Sequence, residues 1–249
     1  MEHYLYITVD LCCFIVPFLF SYHPRLHFHL RHRSVFLGIA MMMLVFIPWD
    51  AYFTVKQIWG FNDQYILGAK LIFLPIEEWL FFICIPYACL FTYESLSLIL
   101  KVNMSGTWKV IATILGIIML LVGLTHLRHF YTASAHLLCG ALLLAHVFIL
   151  KSRYIAQFLI TFLIILIPFV ISNGILTGVQ FWNYPLINFN PSTVSDMVVW
   201  YNNDHNLGIR IFSIPLDDVA YGMSMLLLTT TVFEMRKSKT ELSHSLKTS

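Results

Sequence analysis

The sequence predicts an all-α membrane protein, a polytopic bundle of seven transmembrane helices built as two parallel three-helix repeats with a linker helix between them (3+1+3). Its composition is the first reason, because only 11% of its 249 residues are charged and 59% are hydrophobic, against roughly 25% charged in a typical soluble domain. Long apolar stretches alternate with short polar links, and the polar pattern repeats. These features exclude an ordinary soluble enzyme and a disordered chain, and a net charge of +2 gives no reason to expect nucleic acid as a partner.

Seven apolar stretches have about the 20 residues needed to cross the hydrocarbon core of a bilayer. Residue-by-residue alternation, which marks a membrane β-barrel, does not occur in them. In chain order we expect helices at 4–20, 35–53, 75–93, 110–125, 135–150, 154–176 and 211–233. We assign residues 1–105 to the first three-helix repeat, 106–130 to the linker helix, and 131–249 to the second repeat with a basic tail.

Basic residues set the expected orientation, because cytoplasmic links carry an excess of Lys and Arg. With the N-terminus outside, 11 of the 15 basic residues, Lys101 among them, fall on the inner links and the tail. Those on the outer links are Lys56, Lys70, Arg128 and Arg210. The sequence therefore predicts a multi-pass protein of the plasma (inner) membrane, with the N-terminus outside and the C-terminus in the cytoplasm.

An internal repeat relates the two halves of the chain. At an offset of 123 residues the matches are Thr54/Thr177, Gln57/Gln180, Trp59/Trp182 and the polar pair Asp50/Asn173. At an offset of 140 they are Gly68/Gly208, Pro75/Pro215, Glu77/Asp217 and Glu78/Asp218. The change of offset indicates a 17-residue insertion between Trp182 and Gly208. Each unit has three helices, an odd number, so direct fusion would invert the second unit in the membrane. The unpaired fourth helix restores its direction. We therefore expect the units to be parallel and related by a pseudo-twofold axis along the membrane normal.

The duplicated acidic pairs are the candidate catalytic groups. A charge at the bilayer centre costs about 2.5–3.5 kcal/mol, and clustered carboxyls in a low dielectric do not all ionise. A neutral acid and an ionised base then coexist in one site. We expect this role for Glu77, Glu78, Asp217 and Asp218. Two placements remain open: the prolines begin helices and the acids lie in the first turn, or the helices begin earlier and kink at the prolines.

Other polar and aromatic residues near the acids are candidates for substrate binding. We expect Asp50 and Asn173 to orient a site carboxyl, and aromatic rings to stabilise a cation through their quadrupole. The aromatic candidates are Trp59, Trp79, Trp182 and Tyr221. Asp10 is either a site residue or a satisfied polar contact. Lys70 and Arg210 either pair with the acids or extend outward to the surface. The sequence predicts no metal site and no cofactor.

The repeated motif is similar to one in a known family. Pro75-Ile-Glu77-Glu78 and Pro215-Leu-Asp217-Asp218, each in the third helix of a unit, resemble the two halves of the integral-membrane lycopene β-cyclases. Those enzymes occur as two small proteins, as one fused chain, and in fungi as a domain joined to phytoene synthase; this chain resembles the fused form. The resemblance implies redox-neutral cyclisation of the ψ-ends of lycopene, drawn from the bilayer, to β-ionone rings, and it leaves open whether a reduced cofactor is needed. The four acids would then transfer the protons.

Other seven-helix functions fit the sequence less well. A rhodopsin-like protein needs a retinal Schiff-base lysine, normally in its last helix, and residues 211–233 contain none. A proton-coupled transporter also needs buried carboxylates, but helices 4 to 6 are almost entirely aliphatic. A prenyltransferase would carry Asp-rich motifs for metal and diphosphate, and no such pattern surrounds Asp217. The sequence leaves open the oligomeric state and whether one or both substrate ends are cyclised.

Overall fold

The computed structural model describes residues 2–100, 102 and 104–248, with side chains described as far as residue 237. Lys101, which was counted in the orientation, lies outside the described residues. The described chain contains long α-helices α1 (Leu5–Phe20), α2 (His32–Val55), α3 (Ile76–Ile99), α4 (Gly106–Thr125), α5 (Phe130–Leu144), α6 (Ile155–Thr177) and α7 (Asp217–Thr248). A π-helical segment, Ala145–Ile149, continues α5.

The membrane character predicted from composition is confirmed at the level of single helices. In the part of the chain that the structure describes, six helices, those corresponding to α1 to α6, are long and apolar enough to cross a membrane. The helix α7 does not meet that criterion over its described residues, but it packs against α2 and α5 in the same bundle. The shared core includes Phe46, Phe82, Leu143 and Phe233, all fully buried. The complete seven-span, 3+1+3 layout therefore stays a prediction.

The structure decides between the two placements of the acidic motifs. Pro75 has extended backbone angles and precedes α3 directly, so Glu77 and Glu78 lie in the first turn of that helix. Pro215 likewise precedes α7, whose first turn contains Asp217 and Asp218. The alternative of longer helices that kink at the prolines is wrong, and the seventh helix starts at Asp217 rather than at the expected residue 211.

Two matching β-hairpins replace the expected extension of the helices. Strand β2 (Lys70–Leu71) pairs with β3 (Leu74–Pro75), and β6 (Arg210–Ile211) pairs with β7 (Ile214–Pro215), both antiparallel. Ile72 and Phe212, which correspond at the offset of 140, have φ angles of 50° and 56°, which a helix does not accept. The hairpins begin after Gly68 and Gly208, whose φ angles are 84° and 69°. The repeat inferred from sequence therefore appears in the local backbone.

Strand pairing also joins the two halves. Strand β1 (Trp59–Phe61) pairs antiparallel with β5 (Val199–Tyr201), with Gly60 opposite Trp200. Strand β4 (Ile187–Asn188) pairs with β6. Since β1 and β5 are 140 residues apart in the chain, the inserted residues lie before Val199. The loop that contains the insertion therefore pairs with the first half of the chain through β5.

Hydrogen bonds place the helix ends that carry the site at one end of the bundle, which we call the hairpin end. Tyr6 at the start of α1 bonds Glu78 at the start of α3, and Tyr131 at the start of α5 bonds Asp218 at the start of α7. Asn173, near the end of α6, also bonds Asp218. The helix starts and ends that carry polar residues therefore converge beneath the hairpins.

Candidate active site

A cavity of about 240 Å³ lies beneath the hairpins and extends between α1, α3, α6 and α7. Its polar wall is at the hairpin end. The residues of that wall are Tyr6, Asp50, Glu78, Tyr131, Asn173, Tyr201, Asp218 and Tyr221. Its remaining wall is mostly apolar and includes Ile85, Phe162, Ile165, Phe169, Met225 and Leu226. The cavity therefore combines a cluster of carboxyl groups with a hydrocarbon-like chamber.

Glu78 meets another carboxyl group in this wall. The Tyr6 hydroxyl donates to Glu78 Oε2 at 2.5 Å. The Glu78 carboxyl is also in direct contact with the Asp50 carboxyl. Asp50 Oδ1 in turn accepts a hydrogen bond of 2.6 Å from the Tyr221 hydroxyl. The two acids therefore form a carboxyl pair with one tyrosine on each side.

Asp218 is surrounded by donors instead. Its Oδ1 accepts from the Tyr131 hydroxyl at 2.6 Å. Its Oδ2 accepts from the Asn173 amide at 2.8 Å and from the Tyr201 hydroxyl at 3.0 Å. Burial, followed by the nearby Asp218 charge, raises the pKa of Tyr201 well above its usual value. The Tyr201 hydroxyl therefore keeps its proton and remains a donor.

The site consists of two corresponding triads, one from each half of the chain. We call Tyr6, Asp50 and Glu78 the first triad, and Tyr131, Asn173 and Asp218 the second triad. In each triad a tyrosine at the start of one helix and a polar residue near the end of another hold an acid in the first turn of a third. The chemical difference is at Asp50 and Asn173, where an acid in one triad is an amide in the other.

The other member of each acidic pair does not line the cavity. Glu77 Oε1 accepts a hydrogen bond of 2.6 Å from the backbone N–H of Leu67. Asp217 Oδ2 accepts one of 3.1 Å from the backbone N–H of Leu207, and its Oδ1 accepts from Thr132. Neighbouring helix positions point about 100° apart, so one acid of each pair faces the cavity and the other bonds to the loop before the hairpin.

The aromatic candidates divide in the same way. Trp59 and Tyr221 line the cavity, and the Trp59 ring centroid is 5.0 Å from Tyr131 and 5.8 Å from Tyr221. Trp79 lies outside the lining and donates its indole N–H to the Leu71 carbonyl at 3.1 Å. Trp182 also lies outside it, with 60% of its surface exposed. Its match to Trp59 in sequence does not extend to its position.

Three tyrosines of the polar wall were missed in the sequence. Tyr6 and Tyr131 are 125 residues apart, close to the offset of 123, so an extended search for the repeat would have found them. Tyr201 comes from β5, beyond the insertion, and nothing in the sequence marked it. Its partner strand β1 supplies Trp59, and the ring centroids of Trp59 and Tyr201 are 6.0 Å apart.

The remaining candidates have clear positions. Asp10 is fully buried, and among the described residues neither of its carboxyl oxygens has a hydrogen-bond partner, so it is not a satisfied contact. Lys70 extends outward to Asp63 at 3.0 Å. Arg210 was expected either to pair with the acids or to extend outward to the surface, and among the described residues it does neither. Its guanidinium is buried, donates to the Ser213 carbonyl at 2.6 Å, and has a pKa lowered by that burial.

Comparison with known proteins identifies the family. The family model described as lycopene cyclase matches residues 3–96 and 128–236, and the unmatched interval contains α4. Over 90 residues the chain is 31% identical to a bifunctional lycopene cyclase/phytoene synthase of Podospora anserina, covering 36% of this chain and 14% of that protein. Over 66 residues it is 33% identical to the protein of that name from Leptosphaeria maculans, covering 26% and 11%. No solved structure matches the chain significantly.

Proposed function

This chain belongs to the lycopene cyclase family, and we propose that it is a carotenoid cyclase that converts the ψ-ends of lycopene into β-ionone rings. A proton added to the terminal C=C of a ψ-end leaves a tertiary carbocation. The neighbouring C=C attacks that cation and closes a six-membered ring, which moves the positive charge to a ring carbon. Loss of a proton from the adjacent ring carbon gives the β ring. The steps add one proton and remove one, so they need neither an oxidant nor a reductant.

One observation carries this proposal: carboxyl groups from both halves of the chain face a common apolar cavity. Glu78 and Asp218 line it together, and each is held by a tyrosine hydroxyl. A reaction that both adds and removes a proton needs an acid and a base in contact with the same substrate end. Proton transfer by carboxylic acid and carboxylate is therefore the mechanism we propose.

The rest of the cavity suits a cationic hydrocarbon intermediate. The rings of Trp59, Tyr131 and Tyr221 lie within 6.1 Å of one another, where their faces stabilise positive charge. The apolar wall excludes water, which would otherwise capture the carbocation. The buried acids would transfer the protons, and the aromatic rings beside them would stabilise the cation formed between the two transfers.

The substrate is proposed to enter from the lipid. The cavity wall contains Cys13 and Pro17 from α1, and Phe169 and Ser172 from α6. Its volume of about 240 Å³ is below the roughly 300–1,000 Å³ of pockets that hold drug-sized ligands. We therefore propose that one end group of the carotenoid occupies it while the rest of the polyene extends between α1 and α6 into the bilayer.

The expected membrane layout completes the proposal. We propose seven spans in a 3+1+3 arrangement, with residues 1–105 and 131–249 as the repeats and 106–130 as the linker. The plasma membrane and an outer N-terminus follow from the distribution of basic residues. The position of α4 in the interval that the family model leaves unmatched supports its role as a linker.

Expression in a lycopene-accumulating bacterium tests the function. We expect monocyclic and bicyclic β-ring carotenoids to replace lycopene in extracts of cells that make the protein. A matched strain making the Glu78→Gln/Asp218→Asn variant at the same membrane level should keep its lycopene. Persistent lycopene with wild-type protein verified in the membrane would contradict the proposal.

A further inference from the structure

We infer that Asp50 shares the catalytic proton with Glu78, so that this carboxyl pair is the acid of the reaction and Asp218 is the base. The inference rests on the proposed function and extends it, because the duplicated motif alone makes Glu78 and Asp218 look equivalent. The difference lies in what surrounds each group. Three observations carry the assignment: the donors around Asp218, the contact between Asp50 and Glu78, and the substitution of Asn173 for Asp50 between the triads.

The environment of Asp218 fits an ionised carboxylate. Among the described residues it accepts hydrogen bonds from the hydroxyls of Tyr131 and Tyr201 and from the Asn173 amide. An amide nitrogen only donates, and an ionised carboxylate only accepts. Hydrogen bonds to a charged acceptor are also the stronger ones. Asp218 therefore enters the reaction without a proton and is placed to receive one.

The environment of Glu78 fits a group that holds a proton. Its carboxyl is in direct contact with that of Asp50, and two carboxyl groups in contact are held together by a proton between them. Like charges at such a separation do not both ionise. Tyr6 donates to Glu78 from one side and Tyr221 donates to Asp50 from the other. These donors leave the shared proton as the one available to the substrate.

The repeat supplies the comparison that gives Asp50 its role. Asn173 occupies the corresponding place in the second triad and holds Asp218 with an amide N–H. An asparagine is thus sufficient to orient a site carboxyl in this architecture. An acid at residue 50 adds a proton, which orientation alone does not require. Asp50 also lines the cavity, so it reaches the space where the substrate end lies.

The proton balance of one turnover follows from these roles. The Glu78–Asp50 pair gives its proton to the terminal C=C of the substrate. The new carbon–carbon bond forms, and Asp218 removes a proton from the ring carbon beside the cation. The pair is then one proton short and Asp218 holds one more. Exchange with water at the hairpin end, which takes the extra proton from Asp218 and returns a solvent proton to the pair, restores the starting state.

Product analysis of single variants separates acid from base. Membranes containing Asp50→Asn or Glu78→Gln should leave lycopene unreacted, with cyclisation slowed by about 100-fold or more, the usual contribution of a general acid. Membranes containing Asp218→Asn should still form the cation. They are expected to release abnormal products, in which the ring double bond lies elsewhere or water has added. Mass spectrometry after chromatography distinguishes these outcomes.

Asp50→Asn is the least disruptive variant for the structure, because it gives the first triad the residue type that the second triad has at Asn173. We expect its membrane level and thermal unfolding midpoint to match those of the wild type. The reciprocal variant Asn173→Asp places a second acid beside Asp218 and should slow release of the normal β ring. Near wild-type activity of Asp50→Asn would overturn the inference. So would abnormal rings from Glu78→Gln together with unreacted lycopene from Asp218→Asn. Inactive wild-type membranes would instead contradict the proposed function itself.

Discussion

Glu77 and Glu78 are adjacent residues with different tasks. Glu78 lines the cavity, whereas Glu77 bonds the backbone N–H of Leu67. Asp218 and Asp217 divide in the same way, since Asp217 bonds the N–H of Leu207. The second acid of each pair therefore faces the cavity, while the first bonds the backbone of the loop before the hairpin.

The first prediction concerns this division. Glu77→Ala removes the acceptor of the Leu67 backbone N–H, and such a hydrogen bond contributes about 0.5–1.5 kcal/mol to stability. We therefore expect a lower thermal unfolding midpoint in detergent, measured against the wild type. Glu78→Gln should leave that midpoint nearly unchanged and abolish cyclisation. A stable, fully active Glu77→Ala protein would contradict the structural role of Glu77.

Tyr201 gives a second prediction at the residue scale. Tyr201→Phe keeps the ring beside Trp59 but removes one donor to Asp218. A hydrogen bond to a charged group contributes about 1.5–3 kcal/mol, so we expect cyclisation to slow by roughly 10- to 100-fold. The measured quantity is the initial rate of ring formation in membranes. An unchanged rate would show that Asp218 does not depend on this donor.

Polarity and duplication made part of this site visible in the sequence. The repeated register identified Glu78 and Asp218, and the Asp50/Asn173 match identified the residues that hold them. The same signals did not show which acid of each pair turns away, because that depends on where each helix begins. Tyr201 was hidden because its match at the offset of 140 is Phe61, which has no hydroxyl group.

At the scale of elements, strand β5 is the link between the insertion and the site. Its pairing with β1 brings Trp200 opposite Gly60 and Tyr201 into the cavity wall. A Cβ atom on Gly60 would lie only 2.4 Å from the Trp200 ring. The two strands therefore approach so closely because residue 60 has no side chain.

This contact gives a prediction with an internal control. Gly60→Ala should push β5 away from β1, displace Tyr201 from Asp218 and reduce the rate of cyclisation. Trp200→Ala removes the obstructing ring, so the double variant should recover activity relative to Gly60→Ala alone. Initial rates of the wild type, Gly60→Ala, Trp200→Ala and the double variant form a double-mutant cycle. Equal rates for Gly60→Ala and the wild type would contradict the proposed role of the strand pair.

Helices were easier to predict than the elements between them. Apolar runs located all seven α-helices, although the starts of α4, α5 and α7 and the ends of α3 and α7 were misplaced by several residues. The hairpins at 70–75 and 210–215 were missed because their strands are two residues long and show no alternation. Their apolar residues therefore looked like continuations of α3 and α7.

At the scale of the whole molecule, duplication has brought two triads to one shared cavity. The first triad and the second triad face the same space, so we propose that together they act on a single substrate end. The cavity is too small to turn a long polyene around inside it. The two ends of one lycopene molecule are therefore expected to react in separate binding events.

A time course with limiting enzyme tests this expectation. Monocyclic carotenoid should appear first and bicyclic product should follow after a lag. With isotopically labelled lycopene as substrate, added unlabelled monocyclic carotenoid should dilute the label in the bicyclic product. Bicyclic product that forms without a lag and keeps its full label would contradict separate binding events.

The central claim is that solvent-exchangeable protons on carboxyl groups start the ring closure, and solvent deuterium measures this directly. Membranes containing the wild-type protein are equilibrated in D₂O and supplied with unlabelled lycopene, and the products are analysed by mass spectrometry. We expect one deuterium for each ring formed, so that the monocyclic product is one mass unit heavier than lycopene and the bicyclic product two. Rings that form without any solvent deuterium would contradict the account.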